Sequence, residues 1–167
     1  VSGARLSVPR EEEPRRRATL GEVRRCLGNF DVMACALLGF SFWIMGGALA
    51  VGEIDYARNH LGASDFQIGL LYGVQGLGGL LGGLLNYARG AGRSHYGSIL
   101  RNFLVLAAAC AAFIAYPVYL PALVMMAVIG FTDTVGFIKL QTLIQLKTPD
   151  DYRGTAFAVF YGACNLG

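Results

Sequence analysis

Residues Phe66 to Ala88 form a run of helix length without a single Asp, Glu, Lys or Arg, and no other stretch restricts the possible fold as much. A hydrocarbon core of ~30 Å is crossed by ~20 apolar residues in helical conformation. In water the glycines at 69, 73, 76, 78, 79, 82 and 83 would weaken such a helix. In lipid nothing drives helices together by hydrophobicity, and small residues instead let neighbouring backbones approach and gain dispersion contacts. Gly69/Gly73, Gly78/Gly82 and Gly79/Gly83 each stand at the GxxxG spacing. The run therefore reads as a membrane span packed closely on other helices, and the expected fold class is an all-α membrane protein, a polytopic bundle of transmembrane helices.

Charge placement extends this reading along the chain. With 54% hydrophobic and 15% charged residues the averages alone would suit a soluble domain, but the charges are segregated. Seven of the fourteen Lys and Arg residues precede residue 26, and the rest of the chain consists of long uncharged runs broken by short charged loops. The net charge of +3 then reflects loops held on the cytoplasmic side rather than a surface for nucleic acid, and the expected medium is the lipid bilayer.

The first 28 residues read as a cytoplasmic linker ending in a short interfacial helix. Val1 to Arg17 is polar and Arg-rich with two prolines and has no apolar face to bury. Thr19-Leu20-Gly21-Glu22 has the form of a capping box, and Leu20, Val23 and Leu27 share a helical face from which Arg24 and Arg25 are displaced. That helix lies on the membrane surface or is the solvated foot of the first span. Residues 29–167 read as the transmembrane domain, with spans at about 30–52, 66–88, 96–116 and 120–146 and a run at 154–167 too short to cross. The loop from Glu53 to Asp65, with three acids and only Arg58 as a base, reads as outer; Tyr116-Pro117-Val118-Tyr119-Leu120-Pro121 breaks a stretch of thirty-one uncharged residues into an outer hairpin. Twelve of the fourteen basic residues then fall inside, Arg58 and Lys139 being the exceptions. The absent initial Met and the short last run make the chain a fragment in expectation, with an N-terminal half of the same protein as its partner.

Polar residues inside apolar runs are the functional candidates, because an ionisable group at mid-bilayer costs at least ~2.5 kcal/mol on insertion scales. Asp133, between Thr132 and Thr134 in the fourth span, is the foremost, as a proton site, a substrate counter-charge or a hydrogen-bonded packing residue. Lys139 stands ~120° around and ~9 Å along the helix from it, placed to face the lumen or to snorkel to the cytoplasmic interface. Gln141 and Gln145, one turn apart, and Gln75, a turn from Tyr72, would line a polar path or hydrogen-bond between helices. Trp43 sits in mid-span, where packing on protein or on a cavity suits it better than lipid. The cysteines at 26, 35, 110 and 164 have no ligand spacing, and HExxH, P-loop and GxSxG patterns are missing. No metal, no cofactor and no enzymatic activity is expected.

Gln141-Thr142-Leu143-Ile144-Gln145-Leu146-Lys147-Thr148-Pro149-Asp150-Asp151-Tyr152-Arg153-Gly154-Thr155 resembles the junction between the tenth and eleventh helices of the major facilitator superfamily, in its enterobactin-exporter and macrolide-efflux-like branch. Gly82 to Arg93 is similar to a degenerate copy of the superfamily's cytoplasmic G-x-x-x-D-R-x-G-R-R loop: Arg89, Gly92 and Arg93 stand for its basic part, its acid is missing at Asn86 and Ala88, and the stretch from Arg89 to Arg93 is one residue longer. Pro149, Asp150, Arg153 and Gly154 belong to the second cytoplasmic loop of the same resemblance. It implies most of the second six-helix half of a twelve-helix transporter in a bacterial inner membrane, exporting a small organic molecule by alternating access coupled to protons. A rival expectation from another class is a membrane anchor or assembly subunit that dimerises through its glycine stripe.

Overall fold

A computed structural model describes residues 20–89 and 96–166. Within them six α-helices succeed one another: α1 (Leu20–Gly28), α2 (Phe30–Asn59), α3 (Asp65–Arg89), α4 (Tyr96–Ala115), α5 (Tyr119–Lys147) and α6 (Arg153–Leu166), with a 3₁₀ turn at Asp150–Tyr152 before the last. No strand occurs among the described residues, and α2 to α5 are each long and apolar enough to cross a membrane. The linker before Leu20, including the Thr19 of the capping box, and the loop residues Gly92 and Arg93 lie outside the described residues.

Helix ends follow local chemistry. The Asn29 side chain accepts from the Asp31 and Val32 amides at 3.0 and 3.4 Å and so starts α2, supplying acceptors for N–H groups that have no partner within the helix. Pro149, whose ring bars a helical conformation for the residue before it, comes after Thr148, the extended residue that closes α5. The chain turns back between α2 and α3 at Gly62, whose φ of +60° only glycine adopts without strain.

One boundary corrects the sequence reading. Glu53 does not open a loop: α2 continues through it to Asn59, and Glu53 is buried within the bundle. Hydropathy falls off at Gly52-Glu53, but the buried phase of the helix runs on through Cys35, Gly39, Glu53 and Ala57, so packing rather than apolarity sets the end of this helix.

The bundle is built around α5, which touches α2, α3, α4 and α6, whereas α2 and α3 meet only briefly. Against α3 the contact is backbone to backbone. A Cβ on Gly78 would collide with the Ala127 carbonyl, one on Gly130 with the Gln75 carbonyl, and one on Gly82 would stand 2.7 Å from the Phe131 carbonyl oxygen. The seven glycines of α3 do not share one face: Gly78, Gly79 and Gly82 close on α5, Gly83 only grazes Thr134, and Gly69, Gly73 and Gly76 have nothing within 4 Å. Against α4 the tie is polar: the buried Asn102 amide donates to the Thr132 carbonyl at 2.6 Å and fills the space above Gly136. Gly39 of α2 makes room for Phe160 of α6, whose ring would sit 2.6 Å from a Cβ there.

Side chains lace the two ends. At one end Tyr96 Oη donates to Asp31 at 2.5 Å, Asn29 to Tyr152 Oη at 3.2 Å, and Thr155 to Glu22 at 3.3 Å, the last holding α1 on α6. At the other, Tyr56 Oη donates to the Ile114 carbonyl at 2.7 Å and Tyr119 Oη to that of Gln67 at 2.8 Å. Arg58 and Asp65 pair there in the open, at 2.6 Å, an exposed bridge worth ~0–1 kcal/mol.

Candidate functional site

Asp133 is the middle residue of α5. Its neighbours fix the direction it faces: Thr134, a step further round, meets Gly79 of α3, Thr132 on the opposite flank carries the hydrogen bond to α4, and Phe137, one turn on, stacks at 6.3 Å on Phe42 of α2. A residue four before Phe137 lies on the same side, so Asp133 is turned towards α2. It is half-buried and is hydrogen-bonded to no described residue.

From α2 the residue that answers it is Glu53, 7% exposed and within electrostatic range of Asp133. Its carboxylate likewise forms no hydrogen bond or ion pair with a described residue. Cys110 of α4 lies within range of both acids and Tyr72 of α3 within range of Glu53, while the Tyr72 hydroxyl ties α3 to α2 at the Ala50 carbonyl, 3.4 Å away. Four helices thus bring one side chain each to a common region in the interior of the bundle. Aromatic rings continue it along α2: Trp43 meets Phe137 edge-on at 6.3 Å, and Phe42 meets Phe103 at 5.8 Å.

The other sequence candidates lie elsewhere. Lys139 reaches the Ser98 carbonyl at the start of α4, 3.5 Å away, and is directed along the helix from Asp133 rather than towards it. Gln141 donates to Tyr161 Oη of α6 at 3.1 Å, which is an interhelical bond, and Gln145 is exposed. Gln75 contributes its carbonyl to the glycine contact with α5 and packs its side chain over Gly130. Trp43 is 47% exposed, against an expectation of a packed mid-span ring. Sequence reasoning missed Glu53 by assigning it to a loop; a helical phase continued four residues past the apolar run would have placed it on the buried stripe. No group of three or more His, Cys, Asp or Glu able to hold a metal is present among the described residues.

Beyond the site, the second cytoplasmic loop is ordered by Arg153. Its guanidinium pairs with Asp150 at 2.5 Å and donates to the Thr148 carbonyl at 3.3 Å. Pro149 precedes the 3₁₀ turn, and Gly154 is exposed in the first turn of α6.

This arrangement of spanning helices agrees with the comparison of the chain with protein families: residues 4–167 match the Major Facilitator Superfamily. The chain belongs to that superfamily. It is accordingly a multi-pass membrane protein of a family of transporters, not of enzymes. No curated protein and no solved structure matches it. Within a superfamily transporter, an acid at the centre of the helix that touches most others is placed where two halves rocking against each other would expose it in turn.

Proposed function

We propose that this superfamily domain takes part in the export of a small organic molecule by alternating access, driven by exchange against protons, and that Asp133 is the group that carries the proton. The observation behind this is the carboxylate itself: it stands in the middle of the central helix, faces α2 and has no hydrogen-bond partner among the described residues, and an ionisable group so placed is costly unless it serves transport. The segment Gln141 to Thr155 supports the enterobactin-exporter and macrolide-efflux-like branch, and with it a bacterial inner membrane. The domain's partner in this reading is another six-helix half of the same transporter, and the solute is siderophore-like or drug-like.

The test is Asp133→Asn in the full-length protein reconstituted into proteoliposomes. Asparagine keeps the shape and the hydrogen-bonding groups and removes the titration. The expected result is folded protein without solute flux driven by a pH gradient. Flux in the Asn variant with an unchanged dependence on the gradient would remove Asp133 from the mechanism.

A further inference from the structure

We infer that Glu53 and Asp133 together bind a lipophilic organic cation, and that such a cation is the solute of the export proposed above, on which this inference rests. Glu53 is the deciding residue. At 7% exposure, in a helix that crosses the membrane, its carboxylate faces a second carboxylate and pairs with no basic side chain among the described residues. Arg58 and Lys139, the bases closest to the two acids in sequence, are engaged elsewhere: Arg58 pairs with Asp65, and Lys139 reaches the Ser98 carbonyl.

Two facing carboxylates in a low-dielectric interior require positive counterparts. Protons on the acids satisfy them, and so does a solute that brings the charge with it. The two states exclude one another, because a cation seated between the acids displaces at least one proton. Exchange of proton for solute then arises from a single site, without a second carboxylate system elsewhere.

The surroundings select the kind of cation. A metal ion would need further oxygen or nitrogen donors, and none is grouped here among the described residues. Instead Tyr72 stands beside Glu53, and Phe137, one turn from Asp133, carries Trp43 on its edge and Phe42 on its face. Aromatic faces attract an ammonium or phosphonium through their quadrupoles and cover its hydrocarbon substituents at the same time. Between Trp43 and Glu53, α2 presents Gly46 and Gly47, where even a Cβ would meet nothing within 4 Å, so that stretch of the helix leaves room for a bulky group.

The experiment compares binding of tetraphenylphosphonium and of neutral triphenylphosphine oxide to the purified full-length protein. Wild type is expected to prefer the cation, and Glu53→Gln to lose cation affinity by at least roughly thirtyfold, the lower bound for truncating one partner of a buried charge pair, with binding of the neutral compound unchanged. Equal binding of the two compounds by wild type would overturn the inference, and so would wild-type cation affinity in a monodisperse Glu53→Gln protein. Should the Gln variant fail to fold, Glu53→Asp, which keeps the charge, must retain the preference for the cation; its loss there, in folded protein, counts against the site. Failure of this inference is separable from failure of the transport reading. Gradient-driven flux of a neutral solute without cation binding refutes the cation site alone, and cation binding without any gradient-driven flux supports the site while refuting the transport reading.

Discussion

Replacement of Gly130 by alanine isolates the contact on which the bundle is centred. The new methyl group would be driven into the Gln75 carbonyl oxygen, with the Gln75 Cγ 3.0 Å away, and neither side can retreat by a rotamer change, because the clash is with backbone. The helices α3 and α5 must therefore move apart, and the movement also strips the contacts at Gly78 and Gly82, which lie on the same seam. Overpacking of this kind costs ~1–3 kcal/mol, and one or two kcal/mol already shifts the ratio of folded to unfolded protein by roughly 5- to 30-fold. Gly73→Ala is the matched control: the same chemical change meets nothing within 4 Å and removes a residue that weakens helices by about 0.5–1 kcal/mol relative to alanine. Reversible unfolding in mixed micelles, monitored by helical circular dichroism, is the assay. Gly130→Ala should fall below wild type and Gly73→Ala should equal or exceed it. A Gly130→Ala protein as stable as wild type, or equal losses in both variants, would refute the claim that backbone contact at this seam holds the bundle.

Two further outcomes are expected. Cysteines placed at the exposed Asn59 and Asp151 should be labelled from opposite sides of the membrane, Asn59→Cys from outside and Asp151→Cys only after permeabilisation; labelling of both from one side would break the topology drawn from the basic residues. Cys26 is fully buried where α1 docks, and its thiol is held above the ordinary value of 9.0, first by burial and then by Glu22. Because the released helix ionises at lower pH than the docked one, docking is at full strength below that value and weakens as pH rises through it. Maleimide modification of Cys26 should thus be slow at neutral pH and should accelerate on raising pH by more than thiolate formation alone provides. Thr155→Val, which removes the bond to Glu22, should speed it already at pH 7.

The helices were legible because lipid leaves few alternatives: an uncharged run long enough to cross must satisfy its backbone internally, and the runs at 66–88 and 96–115 end where charge or proline ends them. What the sequence concealed is register between helices. Glycine spacing on α3 announced close packing but not which glycines would meet a partner, since GxxxG repeats at 69/73 and 78/82 look alike until the position of α5 is known. Gly130, the reciprocal glycine, belongs to no such repeat and carried no signal. Asp133 was conspicuous because it is charged among apolar residues, whereas Glu53 was disguised by its neighbours: Asp55 and Arg58 come soon after it, and a count of charges assigns all three to solvent. Only the phase of the buried stripe separates Glu53 from Asp55. The aromatic side of the site shows the same division. Phe42, Trp43 and Phe137 were visible as residues, but their meeting depends on a crossing of α2 and α5 that no local pattern encodes.

The position of α5 has a consequence in time as well as in space. Synthesis delivers α2, α3 and α4 to the membrane before α5 exists, and these three helices have little contact with one another. The growing chain therefore holds three inserted helices without a common partner until Lys147 has been made, and throughout that interval the backbone surfaces around Gly78 and Gly82 are open to lipid or to whatever helix passes. Assembly of the bundle is a late, single event set off by one insertion, and a ribosome that pauses before the end of α5 leaves behind a product with inserted helices and no core.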